Sequence, residues 1–162
     1  LTALHERLPP PDQALFTDSL FVGLATPGEH RELHVGDFLV RGILGLDPDT
    51  GALWIASELR QNSILQFHLR DAATSAKDLE RQLTRFRARG LAQGAAGALL
   101  VSCVGRGAAL YGAPNHDSLA FQRLVADVPL GGFFGGGEFG PVGGTTYVHG
   151  YTSAFGVFRP KH

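Results

Sequence analysis

Cysteine is nearly missing from this sequence and methionine is missing altogether: Cys103 stands alone, and no position holds Met. A lone thiol excludes an internal disulfide and fits a reducing, cytoplasmic compartment. Lysine is scarce, with only Lys77 and Lys161, so arginine carries the positive charge. Neither sign of charge dominates: a formal net charge of −1 leaves no basic field for nucleic acid and no acidic tail. No apolar run approaches the roughly 20 residues that a membrane-spanning helix needs. No signal-peptide pattern is present, and a chain that opens on Leu1 reads as a piece of a longer protein.

What remains is a globular composition, 44% hydrophobic and 18% charged, in 162 residues, enough for a core without metals or disulfides. Residues 1–18 read as a helical remnant or linker from an upstream domain, interrupted by Pro9, Pro10 and Pro11. Residues 19–160 form the domain proper. Short apolar runs predict strands over 20–24, 37–46, 52–57 and 63–69, with turn chemistry at Pro27-Gly28 and Asp47–Gly51, hence an antiparallel meander. In the last run Leu65, Phe67 and Leu69 share one face. Ala76, Leu79, Leu83 and Phe86 recur at helical spacing, which predicts a helix over 74–90, boxed by Ser75 and Asp78 and stopped by Gly90. A strand buried on both faces is expected at 97–103. A second helix is expected at 117–126, capped by Asn115 or Asp117 and ended before Pro129. Residues 130–158 are expected to hold another strand, a glycine-dense loop from Gly131 to Gly144, and one or two terminal strands about His149-Gly150. The sum is an α+β layered domain with a largely antiparallel β-sheet and two principal helices.

Chemistry concentrates in a few places. Cys103-Val104-Gly105-Arg106-Gly107 follows a buried strand: its glycines allow close backbone approach, and Arg106 offers a planar donor fork for a carboxylate or phosphate. The alternative is a tight turn with a solvated or structurally paired arginine. Gly136, Gly137 and Glu138 sit in the glycine-dense stretch, where loop N–H groups could cradle an anion and Glu138 could take an amine or pin the loop. His149 and Thr152 flank the terminal strand, and Cys103, His149 and Glu138 supply the residue types of a thiol nucleophile, its base and an orienting acid. Arg41 and Arg70 lie on otherwise apolar strands and call for a partner, such as Asp71 or Glu138, or a bound anion. The seven histidines are scattered without zinc-ligand spacing, and His116-Asp117 reads as a helix start; no metal or cofactor is expected.

The strings DFLVRGILGLDPDTGAL (37–53), GALLVSCVGRGAALYG (97–112), DVPLGGFFGGGEFGPVGG (127–144) and HGYTSAFGVF (149–158) resemble, in order, the C-terminal domain of FIST proteins. The resemblance implies an intracellular sensory module of signalling proteins, bacterial and archaeal, and of a eukaryotic F-box protein. It implies a small-molecule ligand such as an amino acid or related metabolite. Carried over residue by residue, the ligand site would draw on Arg41, Arg70, Cys103, Gly105, Arg106, Gly107, Gly136, Gly137, Glu138, His149 and Thr152, with no catalytic residue. Such proteins carry an N-terminal FIST half that this sequence lacks, and a signalling partner is implied; no nucleic acid or membrane is. The alternatives are a protein-interaction module and, further off, a thiol-dependent enzyme using Cys103.

Overall fold

A computed structural model describes residues 1–26, 32–34, 36–142 and 144–161. The expected turn at Pro27-Gly28 lies outside the described residues. The chain divides into two compact units: Leu1–Asp71 with Pro141–Tyr147, and Ala72–Gly140 with Val148–His162.

The first unit opens with α1 (Thr2–His5) and α2 (Pro10–Ser19). The prolines begin α2 rather than interrupting a helix, because Pro10 and Pro11 occupy its first turn, where a missing N–H costs no hydrogen bond. Four strands follow, β1 (Leu20–Ala25), β2 (Phe38–Leu46), β3 (Leu53–Ile55) and β4 (Leu65–Leu69), in the sheet order β3-β2-β1-β4. All pairings are antiparallel. The connection is not the expected simple meander: β4 returns beside β1, the strand order of a Greek key. The expected apolar face of β4 is partly open, with Leu65 and Phe67 exposed.

The second unit is built around α3 (Ala72–Ala88) and β5 (Gly97–Cys103). Helix α3 starts two residues before the expected position. Ser75 therefore lies within its first turn, and its hydroxyl bonds Tyr111 instead of closing a capping box. Gly90 adopts φ +70°, the left-handed conformation that stops the helix. Short α4 (Ala108–Tyr111) and α5 (His116–Leu124) come next. Helix α5 ends before Ala126. Asn115 stands at its N-cap position, in the left-handed region and without a side-chain capping bond, and Asp117 is engaged elsewhere.

The glycine-dense stretch expected as a loop instead holds β6 (Leu130–Gly135) and β7 (Glu138–Val142); β8 (Thr145–His149) and β9 (Ser153–Phe158) complete the chain. Strand β7 pairs with β8, and β6-β5-β9 form a separate sheet in which β5 and β6 run parallel while β5 and β9 are antiparallel. His149-Gly150 is neither a bulge nor the turn of one hairpin, since β8 and β9 pair with different strands. Gly132 shows why glycine suits β6: a Cβ there would meet the Leu100 carbonyl oxygen at 2.0 Å.

One face of this sheet carries Ala98, Leu130, Phe155 and Val157 and packs against Leu79, Leu83, Ala120, Phe121 and Val125 from α3, α5 and the residue after α5. The opposite face is open, so β5 is not buried on both sides: Leu99, Phe133 and Phe158 are exposed. Among the described residues, no helix is long and apolar enough to cross a membrane.

Candidate functional site

Strand β5 delivers its C-terminal end to the same edge as β6 and the lead into β9. Cys103 N–H donates to the Thr152 carbonyl (2.9 Å) and Val104 N–H to that of Gly135 (2.9 Å). The loops leaving the carboxyl ends of a parallel strand pair therefore gather there, the usual place for ligands in sheets with parallel strands. Gly107 (φ +75°) lets the chain turn into α4; a Cβ on it would lie 3.1 Å from Phe134 Cζ.

Arg106 turns inward at this edge and is only 8% exposed. Its Nε donates to Asp117 Oδ2 (2.7 Å) and its Nη2 to Asp117 Oδ1 (3.1 Å) and to the Tyr111 hydroxyl (2.5 Å). Its Nη1 donates to Ser75 Oγ (3.2 Å) and to the Tyr151 carbonyl (3.1 Å). Those bonds use every N–H of the guanidinium. The expectation that Arg106 holds out a free fork thus meets a fork already filled. Tyr151 adopts φ +65°, which for a bulky residue is strained and persists where its surroundings fix it; here its carbonyl is held by Arg106.

Asp117, 6% exposed, is equally saturated. Besides Arg106, it accepts from Ser153 Oγ (2.5 Å), Ser102 Oγ (3.3 Å) and His116 Nδ1 (2.9 Å). Burial alone would push its carboxyl up. The hydrogen bonds from Arg106, Ser153 and His116 outweigh burial and hold it well below the usual carboxylate range. Tyr111 sits over this pair, stacked on His116 with ring centroids 3.6 Å apart and planes at 11°. Burial pushes its phenol up, so it stays neutral.

Against this network lies a cavity of about 380 Å³, lined by Leu100, Ser102, Gly107, Ala108, Pro114, Asn115, His116, Asp117, Ser118, Leu130, Gly131, Gly132, Phe133 and Phe134. All of these belong to the second unit. The volume falls within the range of small-molecule sites, and a mainly apolar wall with a few polar groups is their usual make-up.

Of the residues singled out in the sequence, Gly107 lines this cavity. Cys103 is buried at the end of β5, and its sulfur accepts from Gly105 N–H (3.5 Å). Gly136 and Gly137 form the turn between β6 and β7. Glu138 accepts from Thr152 Oγ1 (2.9 Å), and His149 Nε2 is 2.9 Å from the Gly140 carbonyl oxygen. These bonds join neither His149 nor Glu138 to the Cys103 thiol. Arg41 and Arg70 stand in the first unit: Arg41 Nη1 donates to the Val40 carbonyl (3.0 Å), and Arg70 lies 5.8 Å from the Phe21 ring centroid.

Ser75, Ser102, Tyr111, His116, Asp117 and Ser153 were not legible as site residues. The one available signal was His116-Asp117, two polar residues adjoining at a helix start; spacing does not show that Arg106 folds back onto them. Among the described residues, no group of three or more His, Cys, Asp or Glu could hold a metal ion.

Comparison with known proteins agrees with the motif order. The FIST C domain model matches residues 1–141. An uncharacterized protein of Mycobacterium bovis is 40% identical over 164 residues, covering 98% of this chain and 41% of that protein. An uncharacterized protein of Mycobacterium tuberculosis is 39% identical over 155 residues, covering 92% of this chain and 39% of that protein. F-box only protein 22 of Pongo abelii is 36% identical over 73 residues, covering 44% of this chain and 18% of that protein. The chain thus spans about two fifths of the length of the mycobacterial relatives. No solved structure matches it. Matched over most of its length by one family model, and nearly end to end by relatives of that identity, the chain belongs to the FIST C domain family.

Proposed function

We propose that this FIST C domain is the small-ligand-binding part of a sensory protein, and that the ligand occupies the cavity between the first turn of α5 and strands β5 and β6. The cavity carries the reading: about 380 Å³, apolar walls, and polar groups whose rotamers are fixed by a saturated buried network. Arg106 is then a positioning residue. It holds Asp117, Tyr111 and the Tyr151 carbonyl in place, and a ligand carboxylate, if the ligand is an amino acid or related metabolite, is held by other groups. Gly105 and Gly107 shape the turn that carries Arg106, while the Gly136–Glu138 turn, Thr152 and His149 support the neighbouring edge.

A thermal-shift screen of amino acids and metabolites tests this, since a ligand selective for the native state raises the midpoint. Hits should lose their shift in Ala108→Trp, which fills the cavity from an exposed position. Hits that shift this variant as far as the parent would place binding elsewhere.

A second reading has its own support. Phe133 (61% exposed) and Phe158 (58% exposed) share the open, uncharged face of the β6-β5-β9 sheet with Leu99, a surface suited to a signalling partner. Sedimentation of the chain with Phe133→Ser and without it would discriminate: self-association or partner capture that survives the substitution argues against this face.

A further inference from the structure

The His116 imidazole is the group in the cavity whose chemistry can be read most fully. Its Nδ1 is 2.9 Å from Asp117 Oδ1, and one face of its ring is covered by Tyr111. Asp117 is paired through both oxygens with Arg106 and receives hydroxyls from Ser102 and Ser153, so it is an ionised, acceptor-only partner. Nδ1 must then be the donor in the His116–Asp117 bond. A neutral imidazole with its proton on Nδ1 carries its lone pair on Nε2. Among the described residues Nε2 has no hydrogen-bond partner, and His116 lines the cavity. A carboxylate that fixes the tautomer and plane of a histidine is the device by which proteins aim the opposite ring nitrogen at a bound group.

We infer that His116, through Nε2, is the specificity residue of the cavity and selects a small, largely apolar compound that donates one hydrogen bond from an N–H or O–H group. The claim rests on the cavity being the ligand site. Leu100, Leu130, Phe134 and Pro114 give the apolar wall, and the Asp117 carboxylate, bonded to Nδ1, leaves Nε2 as the acceptor. Asp117 thus acts through His116 and is a positioning residue.

Indole and benzofuran have nearly the same size and shape and differ at the ring donor, an N–H in one and an ether oxygen in the other. They serve as probes, titrated into the ¹⁵N-labelled full chain while the amide shifts of Ser118 and Phe134 are followed. Indole should bind about fivefold more tightly, the ratio expected for one net hydrogen bond. In His116→Phe, which keeps a flat ring against Tyr111, the two should bind alike. Long-range ¹H–¹⁵N spectra of the unliganded chain should show the His116 proton on Nδ1, a readout that needs neither variant nor ligand. Equal affinities in the parent chain, or a proton on Nε2, would overturn the role of His116 while leaving the cavity as a binding site. Failure of both probes to move any cavity amide would overturn the cavity reading and this inference with it.

Discussion

Asp117 gathers five hydrogen bonds on two oxygens: two from Arg106 and one each from Ser102, Ser153 and His116. A buried ion pair is not by itself stabilising against a well-packed apolar pair, but removing one partner leaves the other charged and dry. Arg106→Met should therefore lower the unfolding free energy by about 3–5 kcal/mol, read from urea titrations. The same pair sets an acid dependence. The folded carboxyl titrates below its ordinary value of 3.8, so its contribution is complete above the unfolded pKa and is lost as pH falls toward the folded one. Urea midpoints between about pH 5 and 3 should fall more steeply for the parent chain than for Asp117→Asn, which has no carboxyl to titrate there. At Cys103 burial decides: with the thiol 6% exposed, iodoacetamide at neutral pH should label it only after denaturant is added. Rapid labelling of the native protein would favour the thiol-enzyme alternative.

Strand β6 shows what an element needs that local sequence does not display. Gly132→Ala puts a Cβ within 2.0 Å of the Leu100 carbonyl oxygen, a contact only backbone displacement can relieve. It should cost about 1–3 kcal/mol and speed hydrogen exchange in β5 and β6 ahead of α3. Phe121, fully buried under the sheet and stacked on Phe155 with centroids 5.1 Å apart, should cost about 3–5 kcal/mol when cut to alanine. Helix α3 was legible because Leu79 and Leu83 repeat at its own period, and β1 to β4 because turn residues separate apolar runs. Of the further strand expected within residues 130–158, the run through Gly131 to Gly135 was not legible: glycine's reason for being there is the passing Leu100 carbonyl, some thirty residues away in sequence, and parallel pairing has no turn to announce it. Arg106 was legible as unusual, and of the two readings open to it the geometry favours the paired arginine, for a reason that local sequence does not display. Its partner is fixed by the path of α4 and α5, and neither the left-handed Asn115 nor the Tyr151 carbonyl can be foreseen from composition.

At the scale of the whole molecule, the cavity and its network lie in the second unit, which has its own core under the β6-β5-β9 sheet. The mycobacterial relatives are more than twice as long as this chain, so a response to the proposed ligand is to be sought in proteins of that length. The proposed binding step can be examined in the chain as it stands. The most direct measurement is a crystal structure of the chain grown with a ligand taken from the thermal-shift screen. The account predicts density in the cavity against His116, Ser118 and Phe134, with Arg106 still seated on Asp117. A ligand held by the Arg106 guanidinium with the Asp117 pair broken, or bound away from this cavity, would contradict it.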